Sequence, residues 1–235
     1  MMTKDQSLKL LLDLIQQIEQ ANTDDFFDLA HLAGLNPLED FSESNLSGTD
    51  LRSKHMACAD LIGASLIGAN LISTDLTEAN LINANLTSAN LTNATLTGAT
   101  LIGADLSAST LMHATIDNAN CTGAILLSAN LSYADVRRSI FTGAHLGASD
   151  LSGSNFNHSD LRRANLVDAN LSGANLFGAD LSYADLRGTV LADADLIGAK
   201  IERARFSDDA ALPRELKRDL SCRGAIFEGM RYEKR

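Results

Sequence analysis

Histidine, cysteine and acidic side chains are the residues here that could carry out chemistry, and their spacing tests whether they do. The chain holds 5 His, 3 Cys and 30 Asp and Glu in 235 residues. In the right constellation these would supply a zinc centre, an activated thiol or a general acid–base pair. The thiols Cys58, Cys121 and Cys222 are scattered, with no CxxC spacing and no even number for a disulfide framework. Such a set suits a reducing compartment. The glycines never assemble the G-x-x-x-x-G-K-[ST] loop that cradles phosphate. The acids are more suggestive because they recur, as in Ala179-Asp180-Leu181. Asparagine takes the same place in Ala69-Asn70-Leu71, however, and an amide does no acid–base work. The recurring carboxylate is therefore expected to be structural.

That recurrence is one column of a larger pattern. From Phe41 to Phe206 every fifth residue is apolar, giving 34 consecutive pentads without an insertion. Of these centres 25 are Leu, four are Phe and two are Ile, with Met56, Cys121 and Val136 completing the set. Two residues before each centre stands Ala in 23 pentads, Ser in six and Thr in three; only Glu39 and Lys54 depart from this. The residue just before the centre is most often Asp or Asn, so the consensus is A-(D/N)-L-x-x.

A period of five fits neither a helix nor a plain strand. Five helical steps advance ~500°, which would send the leucines around every face. In a continuous strand, residues five apart point to opposite sides. Within one pentad, though, the small residue and the Leu are two apart and share a face of an extended stretch. The chain must then turn before presenting the next pair inward. Of the 16 Gly, 12 fall two residues after a centre, and Asn83, Asn93 and Asn118 take the same slot, as a turn with positive φ requires. Repeated turning around a constant inside yields a coil, and stacked coils share backbone hydrogen bonds at ~4.8 Å. Pro is absent from the array, as pairing above and below demands.

These residues resemble the pentapeptide-repeat family. The resemblance implies a mainly β fold: a right-handed quadrilateral parallel β-helix, a solenoid with four pentapeptides per coil. About eight and a half coils then make a rod ~40 Å long. Its lumen is filled by the centres, with Leu61, Leu81, Leu96, Leu131, Phe141, Phe156 and Leu171 expected in the structural core.

With four sides, residues twenty apart share a side. His113 falls on one side, His145 on another, and His55 and His158 on a third about five coils apart. No two of these can share a metal or polarise one nucleophile. His31 precedes the array and reads as a surface histidine. Asp180 with Lys200, and Asp185 with Arg205, read as weak surface ion pairs between neighbouring coils. The expectation is a chain with no catalytic residue, no metal and no cofactor, hence not an enzyme.

The ends of such a rod expose a sheet edge and need covers. Residues 5–20 carry Leu8, Leu11, Leu12, Ile15 and Ile18 at helical spacing, and a second helix is expected from Asp24 to Ala33, stopped by Gly34 and Pro37. After Phe206 the register breaks into a short helix around Pro213–Leu220, with Leu216 and Leu220 facing one way. Ala225-Ile226-Phe227 then reads as one more pentad, shifted by one residue. The expected domains are a helical N-terminal cap (1–38), the repeat β-helix (39–208) and a C-terminal helix with a capping tail (209–235). The C-terminal helix reads as a cap; because some members of the family it resembles dimerise through their C-terminal ends, Leu216 and Leu220 are also candidate interface residues.

Charge and surface narrow the partner. The net charge is −11, with Asp and Glu concentrated in residues 1–40 (eight acids, two bases) and a slight basic excess from 207 onward. An acidic surface repels nucleic acid and anionic membranes. No secretory leader and no run of 18 apolar residues is seen, so a cytoplasmic protein is expected. Ile62, Ile82 and Ile102 follow their centres at intervals of twenty and form an outward ladder, a candidate interface continued by Ile67 and Ile72. The function expected is a non-catalytic protein-interaction scaffold or structural rod that binds an unidentified protein partner, or itself as a homodimer or end to end. The alternative is a DNA-mimicking modulator of DNA gyrase or topoisomerase, a role the resemblance implies for some relatives. Against it, only Asp105 and Asp117 are charged between Leu81 and Leu131, a neutral waist where mimicry needs a dense acidic stripe. The chain also lacks the loops that some gyrase-protecting relatives insert between coils. Long arrays of this kind are common in cyanobacteria.

Overall fold

The computed structural model describes residues 20, 26–207 and 212–228. Its framework follows from how each pentad disposes of its five backbone N–H groups. In residues 84–88, Ala84 N–H donates to the Leu81 carbonyl (3.0 Å), closing the turn. Asn85 N–H donates to Ala64 of the preceding coil (2.9 Å). Leu86 and Ser88 N–H donate to Asp105 and Ser107 of the following coil (2.6 and 2.9 Å). The remaining donor, Thr87 N–H, faces no carbonyl and is taken by its neighbour's side chain, Asn85 Oδ1, at 3.0 Å. The same Asx turn recurs at Asp60, Asp75, Asn90, Asp105, Asn120, Asn130, Asp150 and onward to Asp195. Asp and Asn serve equally because the acceptor is a carbonyl-type oxygen, and an unmet donor at a half-buried site costs about 1–3 kcal/mol.

Parallel bridges run unbroken from Asn45↔Ser65 to Asp180↔Lys200, each joining residues i and i+20. One coil is therefore four pentads. The sides are numbered here by their centres: first (Leu61, Leu81, Leu101), second (Leu66, Leu86, Leu106), third (Leu71, Leu91, Leu111) and fourth (Leu76, Leu96, Ile116). Each side contributes one bridged residue before the chain turns, too short to count as a strand. The expected mainly β content is thus reduced to three short strands at the C-terminal end: β1 (Asp185–Leu186), β2 (Arg205–Ser207) and β3 (Ile226–Glu228), a parallel sheet in the order β1-β2-β3. Everywhere else the sheet is a stack of single-residue rungs.

The lumen is filled mostly by apolar side chains. The centres Leu61, Leu81, Leu96, Leu131, Phe141, Phe156 and Leu171 are all 0% exposed. Phe141 and Phe156 meet edge to face across it, with centroids 5.8 Å apart. Where Ser or Thr replaces the small Ala, the hydroxyl is absorbed by a backbone carbonyl: of the preceding coil at Thr74 and Ser139, to Leu51 and Ile116, and elsewhere of the turn three residues back. Ser109 donates to Leu106 (2.6 Å) and Ser159 to Phe156 (2.8 Å).

The corners depart from the expectation drawn from glycine. Tyr133, Arg138 and His158 hold φ of 57° at the same corner positions as the glycines, so left-handed backbone alone does not select Gly. Space does. A corner side chain leans along the rod onto the corner twenty residues on, and a Cβ there would lie 2.7 Å from the Tyr133 ring at Gly153 and 2.6 Å from the His158 ring at Gly178. Glycine at these corners makes room for the side chain of the coil before.

At the N-terminal end, α1 (Phe26–Leu32) lays Ala30 and Phe27 on the core. It ends as the sequence predicts at Gly34 (φ 74°), where Gly34 N–H donates to His31 and Leu35 N–H to Ala30, a Schellman closure. The amphipathic segment with Leu8, Leu11, Leu12, Ile15 and Ile18 lies outside the described residues. At the other end, α2 (Arg214–Cys222) covers the lumen. Arg223 behind it donates to the carbonyls of Leu196 (3.2 Å) and Ala199. The chain re-enters the sheet one residue out of register, pairing Arg205 with Ile226 and Phe206 with Phe227, and the two Phe rings stack at 5.4 Å.

Candidate functional surfaces

The titratable residues do not converge. The His55 side chain is 91% exposed and 3.7 Å from Asp75. His113 stacks on Tyr133 (5.4 Å, 18°), and His158 meets Phe177 edge on. Among the described residues no group of three or more His, Cys, Asp or Glu could hold a metal.

The aspartates are bound to structural partners. The Thr77 hydroxyl and N–H hold the Asp75 carboxyl below its ordinary range. At Asp160 partial burial pushes the other way, but Arg162 and the Thr142 hydroxyl outweigh it and the net shift is downward. Asp185 behaves likewise, burial being outweighed by Arg187 and Arg205. The expected ladder pairs form, with Lys200–Asp180 at 3.6 Å and Arg205–Asp185 at 3.4 Å. The second is overshadowed by bonds from Arg205 to Glu228 on β3 (2.7 Å) and from Arg187 to Asp185 (2.6 Å). Both are partly exposed and make modest contributions.

Cys121 stands in the lumen as a centre, and burial pushes its thiol up to about 12. Cys58 and Cys222 are exposed. An aromatic disulfide reagent should therefore titrate those two thiols in native buffer and the third only in denaturant. Three immediate equivalents would place Cys121 outside the core.

Of the candidate interface residues, Ile62 and Ile82 are half-buried while Ile102 and Ile67 are exposed (37% and 43%). Ile62 and Ile82 are each followed twenty residues on by another isoleucine, whereas Ile102 is followed by Thr122, which ends the ladder on the first side. Leu216 packs half-buried against the core and Leu220 is 0% exposed. Leu220 is thus removed as an interface candidate, because α2 turns that leucine onto its own lumen.

One surface was missed by the sequence reading. On the edge between the first and second sides, Arg163, Tyr183 and Arg203 occupy successive corners with φ of 60°, 63° and 56°. The Arg203 guanidinium lies over the Tyr183 ring at 5.8 Å. Arg163 and Tyr183, with Thr142, Arg162 and Ser182, line a cavity of ≈ 270 Å³. The signal was present: these are the residues two after the centres Leu161, Leu181 and Ile201, spaced by twenty.

A twenty-residue coil of four turns, paired in parallel above and below, defines a β-solenoid. The pentapeptide-repeat family model matches eight copies between residues 40 and 208, and the chain belongs to that family. Among solved structures, full-length QnrB1, a plasmid-mediated fluoroquinolone resistance protein, is similar over 78% of this chain and 91% of its own, with TM-score 0.60 and 18% identity. A trypsin-treated QnrB1 variant gives TM-score 0.63 at 20% identity over 70% and 86% of the two chains. HetL, a pentapeptide-repeat protein involved in heterocyst differentiation regulation in the cyanobacterium Nostoc sp. strain PCC 7120, is 32% identical over 76% of this chain and 92% of its own, with TM-score 0.31. No curated protein matches. Among the described residues no helix is long and apolar enough to cross a membrane.

Proposed function

We propose that this protein is a non-catalytic, cytoplasmic scaffold: a right-handed quadrilateral rod, covered at its N-terminal end by the helical segment 1–38 and at the other by 209–235, that docks protein partners on its sides. The observation that supports this most is how each pentad uses its polar groups. The Asp and Asn side chains that a catalytic reading would need are committed to the adjacent backbone N–H groups. What remains for function is flat, ladder-like outer surface, where side chains repeat at the coil spacing. The Ile62–Ile82–Ile102 ladder is one apolar strip of that surface, half-buried at Ile62 and Ile82 and exposed at Ile102, and suits a second copy or a partner face.

The test replaces two successive members of the ladder. Ile82→Lys together with Ile102→Lys should leave the melting temperature within a few degrees of the parent while lowering the sedimentation coefficient of any self-associated form. Unchanged assembly across a hundredfold concentration range would remove the ladder from the account. The second reading, modulation of DNA gyrase, is favoured by the fold likeness to a fluoroquinolone resistance protein. That likeness at 20% identity speaks for the fold, and the neutral stretch from Leu81 to Leu131 speaks against a continuous acidic mimic.

A further inference from the structure

The first–second edge near the C-terminal end is out of character for an acidic rod. Six of the array's bases, Arg162, Arg163, Arg187, Lys200, Arg203 and Arg205, lie on that edge and its two flanking sides. Four are matched with carboxylates: Arg162 with Asp160, Arg187 with Asp185, Lys200 with Asp180 and Arg205 with Glu228. Among the described residues, Arg163 and Arg203 make no ion pair, and the half-exposed Tyr183 sits between them. Their backbones are fixed by the ladder: Arg163 N–H donates to Ser182 (3.0 Å), Tyr183 to Glu202 (2.8 Å) and Arg203 to Gly224 (2.9 Å). This is a rigid row of two uncompensated guanidiniums about an aromatic ring, the residue types that dominate binding hot spots.

We propose that this edge docks an acidic, proline-containing segment of a partner protein in the polyproline II conformation. The geometry of the row selects that occupant. Two coil steps separate the outer corners by about 9.6 Å along the rod. A polyproline II helix repeats every three residues at about 3.1 Å each, so carboxylates at i and i+3 fall on one face about 9.3 Å apart. The same spacing in a β-strand would place them on opposite faces. Between the two acids a proline ring meets the exposed part of Tyr183, as aromatic surfaces take polyproline ligands. The adjoining cavity of ≈ 270 Å³ offers one carboxylate the Arg163 guanidinium and the Ser182 hydroxyl, since Arg162 and the Thr142 hydroxyl are already taken by Asp160. Its size falls below that of ordinary small-ligand pockets, about 300–1,000 Å³, and its open form suits a segment lying along the rod. A long polyanion such as DNA is disfavoured by the net charge of −11, whereas a short acidic segment meets only the local row.

The proposal rests on the scaffold reading and gives it one partner chemistry. The test is fluorescence anisotropy of a labelled peptide with the repeat Glu-Pro-Pro-Glu against the full chain at low salt. Its Gln-Pro-Pro-Gln counterpart and inorganic phosphate serve as competitors. The peptide should bind saturably, while the Gln form and phosphate compete poorly. Arg163→Gln and Arg203→Gln should each weaken binding roughly tenfold. Arg52→Gln, on the third side, should leave binding unchanged. All three variants should melt like the parent, since the replaced groups are exposed. Absence of saturable binding, equal binding by Arg163→Gln and Arg203→Gln, or displacement by phosphate as effectively as by peptide would each overturn the proposal. The isoleucine-ladder experiment reads self-association at coils nearer the N-terminal end of the first side, with a different readout, so failure here is distinguishable from failure of the scaffold reading.

Discussion

Leu131→Asp yields no soluble, folded protein. Leu131 is 0% exposed and lies in the third column of the lumen between Leu111 and Leu151, themselves buried. A carboxylate there loses about 2 kcal/mol of apolar burial and meets no donor. Stranding an unpaired charge in an apolar lumen costs several kcal/mol more. Together these approach the whole net stability of an ordinary domain, about 5–15 kcal/mol. Leu127→Asp is the control, since Leu127 is 44% exposed on the outside of the second side. It should express and melt like the parent. If Leu131→Asp is soluble with an unchanged melt, the centres do not point inward and the coil is wrongly built.

Phe156→Ala is the second large effect. The ring is 0% exposed and packs edge to face on Phe141. Removing it should cost about 3–5 kcal/mol, because the backbone ladders on all four sides keep the lumen from collapsing around the hole. A solenoid's stability is a sum of coil and nearest-neighbour terms, so the loss should be local. Hydrogen exchange should quicken first in residues 136–176, around the missing ring, while coils near Leu81 keep the parent's protection. Urea unfolding that moves by less than about 1 kcal/mol would show that the lumen repacks, contrary to the rigid frame described here.

These two variants rest on features legible in the sequence. The period of five places every inward residue without reference to coordinates, because a coil that turns after each Ala-x-Leu can present the pair only to one inside. Gly34 and the one-residue shift at Phe227 were equally readable, the first from the needs of a helix stop and the second from the spacing of Ala225-Ile226-Phe227. The role of glycine was read only in part. Positive φ is common to all corners, and the selective pressure at Gly153 or Gly178 comes from a ring twenty residues earlier, a contact visible only once coil length is known. Leu220 was misplaced for a related reason: on an isolated helix an apolar residue marks a face, but not which neighbour covers it. The Arg163–Tyr183–Arg203 row was hidden because its members look like scattered surface residues until the corners are aligned by twenty.

The proposed scaffold differs from a nucleic-acid decoy in that its acidic consensus serves the backbone. The most direct measurement is a bacterial gyrase supercoiling assay titrated with the purified protein at low and moderate salt. A scaffold should leave supercoiling unaltered and give no protection from quinolone into the tens of micromolar. Inhibition or protection at sub-micromolar concentration, weakening as salt is raised, would contradict it and show that this rod presents enough acid to compete with DNA.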